Sequence, residues 1–367
     1  MATPTAPGVR VVTASAPTAI DAITRFRAGG VIPAHPLALT AGGRIDERRQ
    51  RALSRYYVEA GSLGLAVAVH TTQFAVHEPG RGLLEPVLGL AAETAAEYPD
   101  ADVVLVAGLS GPTSQAVAEA ELAASLGYDL CLLAPHGVGD VDEDYLLDRA
   151  RAVGEVMPVI GFYLQLAVGG RRLSRDFWSR LVDIPSVVGI KAAPFDRYAT
   201  LDVVHGLASS QRGHDVALYT GNDDHIVMDL LTSFTGTDAT GVVDRFEMVG
   251  GLLGQWAVWV REAVRLLDLA RAAKAGDGAA LHELLRLNPA LTDANGVLFD
   301  AANAFVGCIA GVHEALRRQG LLENLVFLDP AEGLSPGQLA EIDRVWRAYP
   351  ALRDDAFVAE NLDRWLA

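Results

Sequence analysis

A (β/α)8 barrel, an α/β TIM barrel with a C-terminal helical extension, is the fold this sequence predicts, from three observations. Short β-branched apolar runs alternate eight times with longer amphipathic runs. A chain of 367 residues exceeds the roughly 250 of one such barrel and leaves room for an extension. Beyond about Ala270 the β-like runs stop and helical patterns continue alone.

Strands are expected to begin at Gly30, Gly64, Ala101, Tyr128, Pro158, Ser186, Val216 and Thr240. Helices are expected between and after them at Asp46 to Ala60, Leu83 to Tyr98, Ser114 to Leu126, Asp142 to Val156, Ser174 to Val182, Thr200 to Ser209, Asp224 to Phe234 and Met248 to Leu266. Ser174 stands as a cap before the apolar set Phe177, Trp178 and Leu181, and the acidic run Asp140 to Asp144 caps the helix after it. The extension reads as helices at Gly276 to Leu287, Val297 to Gln319, Ser335 to Ala348 and Phe357 to Trp365. The Ala- and Gly-rich stretch from Ala272 to Gly278 marks a hinge. The expected division is a tail and lead-in helix over 1–29, a barrel over 30–270 and a helical subdomain over 271–367.

The net charge of −16 argues against nucleic-acid and anionic-membrane partners, which attract basic surfaces. Two cysteines, Cys131 and Cys308, give no disulfide framework, and a reducing cytoplasm fits. Met1 to Thr18 lacks the basic start and apolar core of a signal peptide. Leu252 to Leu266 is interrupted by Gln255, Arg261 and Glu262, so no membrane span is expected. No phosphate-cradling glycine loop occurs. Asp223-Asp224-His225 lacks a second ligand cluster, so neither metal nor cofactor is expected.

Chemistry concentrates at three strand ends, where barrel sites sit. Lys191 closes the run Val187 to Ala193, and apolar surroundings favour its free amine, a nucleophile for carbonyls. Tyr163 ends the run Pro158 to Leu164, 191 − 163 = 28 residues earlier, one βαβ unit away, and a phenol there could shuttle protons for imine formation. Its bland reading is a core tyrosine. Thr71 and Thr72 follow the run Leu65 to His70 and offer hydroxyls to a carboxylate. His70 and His77 flank them and read as structural.

These residues resemble the dihydrodipicolinate synthase and N-acetylneuraminate lyase family of class I aldolases, over Val31 to Leu328. Gly189-Ile190-Lys191 matches its Gly-Ile-Lys motif, Tyr163-Leu164 its Tyr-Asn motif, and His70-Thr71-Thr72 its Gly-Thr-Thr motif. Gly221-Asn222-Asp223-Asp224 is similar to its Gly-Asp-Asp segment, and Ile32 to Leu37 with Gly43 to Asp46 to its opening. The resemblance implies that Lys191 forms a Schiff base with pyruvate or another 2-oxo acid and that Tyr163 moves protons. It also implies that Thr71, Thr72 and Gly221 bind substrate, with Asn222 alongside, and that the chain forms a homo-oligomer, a dimer or tetramer. Departures narrow it. Gln73 and Phe74 replace glycine and glutamate, and Ala134-Pro135-His136-Gly137 lacks the relay tyrosine, for which His136 could substitute. Val168 replaces the arginine that would hold the second substrate's carboxylate, with Arg171 and Arg172 nearby. The expected activity is therefore a class I lyase, aldolase or dehydratase, with an altered second substrate. The alternative is a barrel turned to small-molecule binding or regulation.

Overall fold

The computed structural model describes residues 19–367. The segment judged free of a signal peptide, up to Thr18, lies outside these residues. Nine strands are present among the described residues: β1 Val31–Pro33, β2 Gly64–Val67, β3 Val104–Leu109, β4 Leu130–Leu133, β5 Val159–Leu164, β6 Val187–Ala193, β7 Ala217–Thr220, β8 Ser233–Thr237 and β9 Val243–Leu253. All but β8 are parallel, in the order β1-β9-β7-β6-β5-β4-β3-β2. The ring closes between β1 and β2 through the Ala34–Ala66 bridge, with the His35 amide donating to the Ala66 carbonyl at 2.8 Å. This is the expected (β/α)8 TIM barrel.

The barrel helices are α1 Ala19–Ala28, α2 Glu47–Glu59, α3 Leu84–Ala95, α4 Thr113–Ser125, α5 Glu143–Gly154, α6 Arg175–Val182, α7 Arg197–Ala208, α8 Ile226–Leu231 and α9 Val260–Lys274. Asp46, Asp142, Ser174 and Asp196 cap α2, α5, α6 and α7, each side chain accepting a first-turn amide proton. Side chains pointing into the ring, among them Ile32, Ala66, Val106, Leu132, Ile160 and Phe162, form one core. The opposite strand faces pack against the helices in a larger second core.

Two expected elements differ. The helix Asp224 to Phe234 shortens to α8, because Ser233–Thr237 instead pairs antiparallel with the start of β9. Asp238 builds the connecting turn by accepting amide protons from Thr240 and Val242, and Gly241 supplies φ +83°. The helix Met248 to Leu266 is strand as far as Leu253, and helix begins only at Val260, after Trp259 turns left-handed at φ +56°. An apolar run buried on both sides carries no period that separates strand from helix.

The extension comprises α10 Gly278–Leu298, α11 Cys308–Arg318, α12 Gln338–Ala348 and α13 Asp355–Trp365. The helix expected over Val297 to Gln319 is broken at 299–307, where Asp300, Ala304 and Phe305 take positive φ. The Asp300 carboxylate accepts from Asn303 Nδ2 and the Gly307 amide at 2.7 and 3.0 Å, which stabilises the break. The Tyr56 hydroxyl of α2 donates to Asp354 at 2.7 Å and accepts the Val260 amide proton, so buried polar bonds join barrel and extension.

Candidate active site

A pocket opens at the C-terminal ends of the strands, with about 40 Å³ of water-accessible space. Its walls come from β1, β2, β5, β6, β7 and β9 and from the residues after them, including Thr71, Lys191, Gly221 and Asp223.

Every residue of β6 is buried, and the pleat turns Gly189, Lys191 and Ala193 toward the ring while Ile190 and Ala192 meet the helices. Lys191 is 7% exposed, and its Nζ sits 4.3 Å from the centroid of the Phe162 ring. No hydrogen bond or ion pair holds the ammonium among the described residues. Burial pushes its pKa down from the ordinary 10.5 to about 8, and the nearby Asp223 carboxylate pulls the other way. Gly221 follows β7, and a Cβ there would fall 2.6 Å from both Lys191 Cε and Ala193 Cβ. A side chain at 221 would displace the lysine stem. Gly221 is thus first a spacer for Lys191, with its amide already donating to the Ala192 carbonyl at 2.7 Å.

Tyr163 does not face Lys191, which corrects the expected pairing. β5 and β6 pair Phe162 with Lys191 and Tyr163 with Ala192, after a register step between Val159 and Ile160. Adjacent strand residues point to opposite faces, so Tyr163 packs outside the ring. Its ring lies 5.0 Å from that of Trp178 on α6, and its hydroxyl accepts the Leu173 amide proton at 3.4 Å. The inward residue opposite the lysine is Phe162, 191 − 162 = 29 residues before it, and a phenyl ring moves no protons.

Of the two threonines, one reaches the pocket. His70–Thr72 form a single 3-10 turn after β2, and Thr71 lines the wall with its hydroxyl unengaged among the described residues. Thr72 is directed away: its Oγ1 donates to the His35 carbonyl at 2.6 Å and accepts the Val69 amide proton at 3.2 Å, tying β2 to β1. Gln73 takes φ +72°, and its Oε1 accepts the Leu328 amide proton at 2.7 Å, fastening the segment before α12 to the barrel mouth. His77 donates from Nε2 to the Ala68 carbonyl at 2.8 Å, with Nδ1 3.0 Å from Glu119.

Asn222 is fully buried and structural. Its Oδ1 accepts the Phe195 amide proton at 3.0 Å, while Nδ2 donates to Asp229 and Thr200. His136 stands outside the pocket, stacked on Phe74 with centroids 4.1 Å apart. Arg171 donates to the Val141 carbonyl at 2.5 Å, and Arg172 is exposed, 3.9 Å from Asp196.

Two residues read as structural or set aside in the sequence line this pocket. His70 is held neutral: burial first, then Lys191 and His136, depress its pKa to about 4. Asp223 is 5% exposed, and its Oδ1 accepts the Gln255 amide proton at 2.7 Å. Burial raises its pKa to about 7 against the opposing pull of that hydrogen bond and of Lys191. The pocket thus holds a carboxyl shifted toward neutrality beside a lysine shifted down toward it. Phe299 and Cys308, from beyond the barrel, complete the wall.

Neither a family model nor a curated protein matches the sequence. Solved structures match the fold. The 4-hydroxy-tetrahydrodipicolinate synthase of Methylacidiphilum fumariolicum SolV superposes with a TM-score of 0.70 at 19% identity, covering 92% of this chain and 99% of that one. The dihydrodipicolinate synthase of Agrobacterium tumefaciens gives 0.69 at 20% identity, with 89% and 99% covered. The chloride-inhibited dihydrodipicolinate synthase of Acinetobacter baumannii, complexed with pyruvate, gives 0.68 at 20% identity, with 87% and 98% covered. At these identities the likeness establishes a shared fold.

Proposed function

We propose that this barrel, which has the fold of the dihydrodipicolinate synthases, is a divergent member of their family and a class I lyase that forms a Schiff base between Lys191 and pyruvate or a related 2-oxo acid. The observation that carries the reading is Lys191 itself: buried, free of hydrogen bonds among the described residues, and depressed toward neutral pH in a pocket at the strand C-termini.

The amine attacks the ketone carbon and the carbonyl π bond breaks, giving a carbinolamine that loses water to become an iminium. Asp223 supplies the proton that lets hydroxide leave as water, the task first assigned to Tyr163. The iminium then draws electrons from C3, whose proton passes to the Asp223 carboxylate, leaving an enamine. The Thr71 hydroxyl is positioned as a donor to the acid's carboxylate. The apolar walls, Phe162 above all, keep water from the amine.

Trapping tests the reading. Pyruvate with borohydride is expected to reduce the imine to a stable adduct on the peptide carrying Lys191, and Lys191→Ala is expected to abolish it. Phe162 beside the lysine favours a second reading, a barrel that binds a 2-oxo acid without turnover. Reversible pyruvate binding that survives in Lys191→Ala, with no adduct in the parent protein, would establish that reading instead.

A further inference from the structure

We infer that the second reactant is an uncharged, apolar aldehyde with an aryl or alkyl chain, joined to the enamine in an aldol addition. The inference rests on the imine reading and concerns the wall that faces the bound acid. No arginine and no second lysine lines the pocket among the described residues. Its apolar lining includes Leu164, Val168, Phe195, Phe299 and Cys308. A carboxylated aldehyde would enter this wall with no cationic partner, and a polyhydroxylated one would find few donors and acceptors beyond Gln165, His70, Asp223 and the acid-binding Thr71.

Construction of the wall supports a binding role over incidental packing. Phe195 is held at φ +52°, with its amide donating to the buried Asn222. Ala304 and Phe305 are also left-handed, at φ +53° and +67°, and they bring the Phe305 ring edge-on to Phe195 at 5.6 Å. Non-glycine residues in this region carry strain of about 1–3 kcal/mol each and persist where surrounding structure holds them in place for use. Gly254 leaves room for the third ring, since a Cβ there would lie 2.6 Å from Phe299 Cζ. Leu166 and Val306, next in chain to Gln165 and Phe305, are exposed apolar residues.

In the addition, enamine C3 forms a bond to the aldehyde carbon while the aldehyde π bond breaks. The oxygen takes the proton that Asp223 removed from C3, and the nitrogen returns to iminium. Water hydrolyses the iminium, releasing a 4-hydroxy-2-oxo acid and the free amine. No oxidant or reductant enters.

The test uses the full chain with pyruvate and a panel of benzaldehyde, butanal, glyceraldehyde and succinate semialdehyde, with product followed by mass spectrometry and borohydride trapping run in parallel. Benzaldehyde and butanal are expected to exceed the other two in kcat/KM by about tenfold or more. Val168→Arg is expected to shift the ratio toward succinate semialdehyde by about tenfold; if that variant does not fold, Gln165→Arg places a guanidinium on the same wall. Equal or reversed preference, an unchanged ratio in the arginine variant, or trapping without turnover of any aldehyde overturns the inference while leaving the imine intact. Absence of the trapped adduct overturns both.

Discussion

Burial shifts both Lys191 and Asp223, each opposes the other's shift, and the sign of that coupling is measurable. Only the free amine attacks a carbonyl, so the trapping rate should climb as pH rises and level off above about 8, where an ordinary lysine near 10.5 would still be climbing. Asp223 raises the lysine's pKa, so Asp223→Asn should move the midpoint to lower pH. The same variant should lower turnover by about 10²–10⁴-fold through loss of the proton carrier. A midpoint that stays in place would mean that the carboxylate does not act on the amine. Lys191 stood out in the sequence through its interval from Tyr163 and its place on the sixth strand, since an apolar run with a lysine near its end is by itself no signal. Asp223 was not, because it was read together with Asp224 and His225 as a weak metal pattern, and its hydrogen-bond donor is the Gln255 amide, 32 residues on and just past β9.

Strand β5 explains why the site was only half legible. Val159–Leu164 is buried at every position, so its hydrophobicity does not alternate, and nothing in the run distinguishes an inward Phe162 from an inward Tyr163. The 28-residue spacing located the right pair of strands and missed the face by one residue. At the end of β7 the structure gives Gly221 a steric role, where the resemblance implied substrate binding. Gly221→Ala should cost about 1–3 kcal/mol in chemical unfolding and slow trapping at Lys191 by about tenfold or more, since the new Cβ meets the lysine stem. Asn222→Ala acts one step further out. It leaves the Phe195 amide and Asp229 short of a partner, and should cost about 1–3 kcal/mol and raise the KM for the aldehyde more than that for pyruvate.

Across the whole molecule, the alternation of apolar and amphipathic runs was sufficient to predict the barrel, because each βα unit is a local event whose closure follows from right-handed crossovers. The break at 299–307 and the segment before α12 that carries Leu328 were not legible, since they are fixed by particular bonds, Gly307 to Asp300 across the break and Leu328 to Gln73 across the molecule. The extension thereby supplies Phe299 and Cys308 to a pocket otherwise built from strand ends. Tyr56 joins the two regions through Asp354, so Tyr56→Phe should lower stability by about 1–3 kcal/mol in denaturant titration, with barrel and extension unfolding together. The central claim is that this assembly exists to present one free amine to a 2-oxo acid. Its most direct measurement is peptide mass mapping after incubation with pyruvate and borohydride. A reduced adduct confined to the peptide carrying Lys191, and absent from Lys191→Ala, is the expected result. An unmodified Lys191 across a panel of 2-oxo acids, or labelling at Lys274, the chain's other lysine, would contradict it.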